Sequence, residues 1–101
     1  MEGRFGQLIA RQLDLFEQQD AEFLRRVDDA ERAYDSADRE DAEEIYGRYQ
    51  ELVEHGTEAL AEMRDAYSQT LEPDDAEDYV AEFNQTVIDR LPRFGLEIED
   101  V

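Results

Sequence analysis

The 101-residue sequence predicts an all-α fold: a long antiparallel, coiled-coil-like helical hairpin with a shorter third helix, packed as a three-helix bundle and expected to dimerise. Three observations lead there. Apolar residues recur at helical spacing through most of the chain, the only prolines are Pro73 and Pro92, and after Gly6 no glycine interrupts until Gly47.

In the first segment Ile9, Leu13, Phe16, Asp20, Phe23, Val27, Ala30, Tyr34 and Ala37 follow an unbroken 4-3 spacing, apolar everywhere except Asp20. One helix from about Phe5 to Asp35 is expected, roughly 46 Å long at 1.5 Å per residue. Asp35-Ser36-Ala37-Asp38 is the expected turn, with Asp38 as N-cap and Glu40 and Asp41 favoured by the helix dipole. The second helix, about 39–70, carries the row Ala42, Ile45, Tyr49, Leu52, Gly56, Ala59, Met63, Ala66 and Thr70. A second row, Tyr46, Val53, Leu60 and Tyr67, lies beside it. Two rows contact two neighbours, which makes this helix the central element.

Pro73 starts the third helix where its missing N–H costs little, and Pro92 stops it, giving a span of about 73–91. These elements make one domain, 1–94. The remainder, 95–101, is an acidic and apolar tail read as extended, with Leu96-Glu97-Ile98 alternating like a short strand. It could add to a partner's sheet edge. Folding back over its own core, with Phe94 and Leu96 capping the bundle, is the preferred reading.

Folding the hairpin about Ala37–Asp38 pairs Val27 with Tyr49, Phe23 with Leu52, Asp20 with Gly56, Phe16 with Ala59 and Ile9 with Ala66, so that large residues meet small ones. The third helix then covers Leu8, Leu15, Val53, Leu60 and Tyr67. It does not reach the hairpin tip, which leaves Leu24, Val27, Tyr34, Ile45, Tyr46 and Tyr49 as the expected partner-binding residues. Two long helices touching at one seam also make a thin core. Self-association through the tip would repair both defects, and a different protein is the rival occupant.

Composition restricts the function classes. There are 29 Asp or Glu against 10 cations, all arginine, for a formal net charge of −19. Such a surface repels phosphate backbones and anionic lipid, so neither nucleic acid nor membrane is an expected partner. Two readings of the acidity arise. Host bias toward salt adaptation is preferred, because high salt screens self-repulsion. Otherwise the acid faces imitate nucleic acid in a basic groove. The chain has no cysteine, no apolar run of membrane-spanning length, and no signal-peptide core in Met1–Phe5, so a cytoplasmic protein is expected.

Asp20 is the one charge in the seam, and a pair with the single histidine, His55, or with an arginine would relieve its burial. Adding Glu51 and Glu58 would make a carboxylate–histidine metal site. Di-iron bundles, however, use a Glu-x-x-His pair on each of two helices, and the residue three before His55 is Leu52. No metal or other cofactor is therefore expected. Ser36 and Ser68 have no histidine in apparent reach, no glycine-rich phosphate loop occurs, and a helical hairpin offers no pocket for paired carboxylates. The expectation is a non-catalytic interaction or scaffold module, with the nucleic-acid mimic and the divalent-metal bundle as alternatives.

Overall fold

The computed structural model describes residues 3–101, so the first two residues of the segment read for a leader lie outside the described residues. Its regular structure is helical throughout, with no strand among the described residues: α1 Gly6–Gln19, α2 Ala21–Asp35, α3 Ala42–Ser68, α4 Pro73–Arg90, the short α5 Pro92–Gly95, and a 3-10 turn Ile98–Asp100. The molecule measures 51 × 24 × 24 Å with a radius of gyration of 15.3 Å. A compact chain of this length has about 13 Å. The difference reflects the projecting α2–α3 hairpin.

The single first helix expected from the spacing is two helices. Asp20 leaves helical geometry at φ −108°, ψ 26°, accepts from Leu24 N–H at 2.9 Å and donates its own N–H to Phe16 O at 2.9 Å. A straight helix would press this carboxylate into the apolar seam, and aspartate is a weak helix former. The break leaves it half-buried, and α1 beyond it packs against α4 as well as α2. There Ile9, Leu13 and Phe16 are buried, and Arg90 of α4 donates to Glu17 and Asp14 across the interface. Leu15, expected under the third helix, is about half exposed.

The connection between α2 and α3 is longer than the tight turn expected. It runs from Ser36 to Asp41, and Asp41 rather than Asp38 precedes the helix. Asp38 instead accepts Asp41 and Ala42 N–H at 3.0 and 2.9 Å through its main-chain oxygen. Contacts across the hairpin are displaced accordingly. Phe23 meets the His55 ring at 5.2 Å, three residues past Leu52, and Tyr49 reaches Glu31, one turn past Val27. Side chains lean toward their own helix N-terminus, which shifts antiparallel contacts by about one residue on each helix. The longer turn supplies the rest.

α3 packs against α2 on one side and against α4, α5 and the 3-10 turn on the other. Its buried face is Gly56, Thr57, Leu60, Ala61 and Arg64, while Ala66, expected opposite Ile9, is exposed. The bounds expected for the third helix hold to within a residue: Glu72 is extended at φ −62°, ψ 151°, and Pro73 occupies the first turn. On α4, Tyr79 is fully buried among Phe5, Tyr67 and Phe83, with ring centroids at 5.5, 4.9 and 5.9 Å. Its hydroxyl donates to Gln12 Oε1 at 2.8 Å, and burial pushes its pKa up to about 12. The fold therefore favours the neutral phenol. That stability is complete below the unfolded tyrosine pKa, about 10, and is lost as pH rises through about 12. Urea midpoints followed across this window should fall for the wild type and show a smaller alkaline step for Tyr79→Phe.

The tail is not extended. Leu91 precedes Pro92 in a non-helical conformation, after which α5 and the 3-10 turn fold across α3 and α4. Phe94 and Ile98 are buried, four residues apart, while Leu96 between them is 85% exposed. Phe94 caps the bundle as expected; Ile98, not Leu96, is its companion. The alternation suits a strand, but the chain turns at Leu96-Glu97 between α5 and the 3-10 turn and brings Phe94 and Ile98 inward together. Of residues 95–101, Ile98 packs in the same core as the helices.

Two glycines are set by close approach. A Cβ on Gly56 would lie 2.9 Å from Phe94 Cζ, and one on Gly95 would lie 2.7 Å from Ile88 Cα, whereas one on Gly47 would meet nothing within 4 Å. Alanine in place of helical glycine normally stabilises by about 0.5–1 kcal/mol. Gly47→Ala should show that gain. Gly56→Ala should instead lose about 1–3 kcal/mol, because the Phe94 ring is held and the helix overpacked. Thermal unfolding of the pair reads both signs.

Candidate interaction surface

The six residues expected at the tip separate into three environments. Val27 is fully buried in the core, which removes it from any exposed surface. Leu24 lies on the other side of the hairpin base, lining a cavity of about 420 Å³ with Glu17, Asp28, Arg90 and Leu91. Tyr34, Tyr46 and Tyr49 stay together as tilted ring pairs, with centroids 5.0 Å apart for Tyr34 and Tyr46 and 6.4 Å for Tyr46 and Tyr49. Tyr34 and Tyr46 are exposed, and Ile45 and Tyr49 are half-buried.

What reaches this end of the hairpin is the tail, not the third helix. Arg93 on α5 donates to Asp28 Oδ1 at 2.8 Å and to Glu31 Oε2 at 2.7 Å, pinning α5 to α2. The same Glu31 oxygen lies 3.5 Å from the Tyr49 hydroxyl. Burial first, then the negative charge of Glu31, raises the Tyr49 pKa, so the phenol stays protonated as a hydrogen-bond donor.

A groove of about 130 Å³ results, with Tyr46, Tyr49, Val53 and Thr57 on α3 facing Arg93 and Leu96 of the tail. Thr57 donates its hydroxyl to Val53 O at 2.8 Å and lies 3.5 Å from Phe94 O of the tail. Two further residues on the rim, Glu54 and Glu97, form no ion pair among the described residues. Leu96, Arg93 and Val53 were not among the residues expected at the surface. Val53 stood in the second apolar row; nothing local marked Arg93 or the outward turn of Leu96.

The tail is held at its far end by Arg64, a buried arginine. Its guanidinium donates to Asn84 Oδ1 at 2.9 Å, to Ile98 O at 2.8 Å, to the main-chain oxygen of Val101, and to Asp65 at 2.8 Å. A sequence signal existed, since Arg64 sits four residues after Leu60 and three before Tyr67, inside the second apolar row.

The other groups considered for chemistry lie apart. The expected Asp20–His55 pair does not form, and Asp20 makes no side-chain hydrogen bond or ion pair among the described residues; His55 packs on Phe23. Ser36 and Ser68 spend their hydroxyls on Arg32 O and Asp65 O within their own helix ends, at 3.0 Å each. Among the described residues no three His, Cys, Asp or Glu side chains gather as a metal cluster, and no helix is long and apolar enough to cross a membrane. Comparison with protein-family models, curated proteins and solved structures gives no match.

Proposed function

We propose that this chain is a non-catalytic protein–protein interaction module whose binding surface is the tyrosine end of the α2–α3 hairpin together with Leu96. The observation that carries the reading is the placement of Leu96. It is 85% exposed although both of its apolar companions in the tail, Phe94 and Ile98, are buried. Tyr46, which lines the same groove, is 41% exposed, and Tyr34, packed on Tyr46, is 39% exposed. Single exposed apolar residues are ordinary on a protein surface. Here two of them, Leu96 and Tyr46, line one groove and Tyr34 packs on Tyr46, and tyrosine offers apolar area with a polar end that tolerates water until a partner arrives.

Self-association was expected in order to thicken a two-helix core, and in this fold α4 and residues 91–101 close that core within one chain. A second copy is still an available occupant of the groove. Because each copy carries −19, a dimer should tighten as salt rises. Native mass by light scattering, with crosslinking and capture of bound protein, tests the module reading on wild type and on Tyr46→Asp/Leu96→Asp. Both positions are exposed, so the variant should keep its unfolding temperature. The expected result is a complex, with itself or another protein, that the wild type forms and the variant loses. Complexes retained equally by both would overturn the proposal.

A further inference from the structure

We infer that the groove between Tyr49 and Leu96 is occupied by a basic segment of another protein that inserts one apolar side chain and flanks it with arginine or lysine. The inference rests on the interaction-module reading and names its partner class. Leu96 is presented on a braced turn. Phe94 is buried before it, Gly95 seats against the backbone of Ile88, and Arg64 holds Ile98 O at 2.8 Å beyond it. Arg93 secures the near side through Asp28 and Glu31. The main chain at Leu96 is held in this way, so a partner pays little backbone ordering entropy to engage it.

Size selects a side chain over a small molecule. The groove holds about 130 Å³, well below the ~300–1,000 Å³ of small-molecule sites. Charge selects the flanks. The only cation lining the groove, Arg93, is matched by two carboxylates, while Glu54 and Glu97 on the rim have no ion pair among the described residues. Arginine or lysine beside the inserted side chain would meet those carboxylates and the exposed faces of Tyr34 and Tyr46. A second copy would instead bring another strongly acidic surface to the same rim.

The probe is a synthetic amphipathic helix with leucine along one face and arginine and lysine elsewhere, titrated by fluorescence anisotropy in low and in molar salt. A charge-matched probe with serine for leucine measures diffuse attraction to the acidic surface. The leucine probe should bind wild type more tightly than the serine probe does, weaken as salt rises, and lose about tenfold or more in affinity to Leu96→Asp. That loss would oppose the added negative charge, which by itself favours a polycation. Glu58→Gln/Glu62→Gln, on the exposed strip of α3, should leave the difference between the two probes intact. Equal binding of both probes, or unchanged affinity for Leu96→Asp, would overturn the inference. A dimer that strengthens in molar salt and splits on Leu96→Asp would also overturn it, assigning the groove to a second copy while the module reading stands.

Discussion

Phe94→Ala is expected to lower folding stability by about 3–5 kcal/mol, the range for removing a buried aromatic ring. The ring is 1% exposed, meets Phe16 edge-on with centroids 6.3 Å apart and planes at 87°, and lies on the bare backbone of Gly56. Helix α3 has no side chain at Gly56 to swing into the void, so collapse around the cavity is limited. A small domain has roughly 5–15 kcal/mol in total, and this one residue therefore decides a large share of it. The consequence is also local. Phe94 anchors the segment that carries Arg93 and Leu96, so its loss should disorganise the groove before the rest of the bundle. Urea unfolding gives the stability change, and amide exchange across residues 91–101 gives the location. A cost under about 1 kcal/mol would show that the tail is not part of the core.

Arg64→Met ranks second, at about 2–4 kcal/mol. Methionine fills a similar volume, so the loss is chiefly polar: it leaves Asn84 Oδ1 and Ile98 O without their donor, and each buried unsatisfied group costs about 1–3 kcal/mol. Lysine should do little better, since an ammonium on a flexible stem cannot fork between Asn84, Ile98 and Val101 as a guanidinium does. Adding Asn84→Leu to Arg64→Met removes one orphaned acceptor and should recover part of the loss. The resulting coupling is measurable in a double-mutant cycle by urea unfolding. Additive effects would mean that Arg64 and Asn84 act independently, contrary to their contact.

How far the sequence could be read depended on the reach of the forces involved. The start of α4 at Pro73 and its end before Pro92 were legible because proline's ring restricts the backbone wherever the chain goes. The break at Asp20 was not, because one non-helical residue scarcely disturbs a 4-3 row: Phe16 and Phe23 keep their spacing on either side. Arg64 escaped a search for apolar rows by being a cation, although its neighbours Leu60 and Tyr67 marked the row it occupies. Of the tip residues, Tyr34, Tyr46 and Tyr49 stay clustered, whereas Val27 is buried and Leu24 lines a different cavity.

The sequence by itself determined the all-helical class, the approximate place of the reversal between the long segments and the net negative charge. These follow from backbone chemistry and periodicity acting over a few residues. Tertiary structure alone decided which face of α3 is buried, where α1 leans, and which of Phe94, Leu96 and Ile98 points outward. Those choices turn on contacts between distant positions, Gly56 with Phe94 and Arg64 with Ile98, and burial is a competition that only the assembled chain resolves.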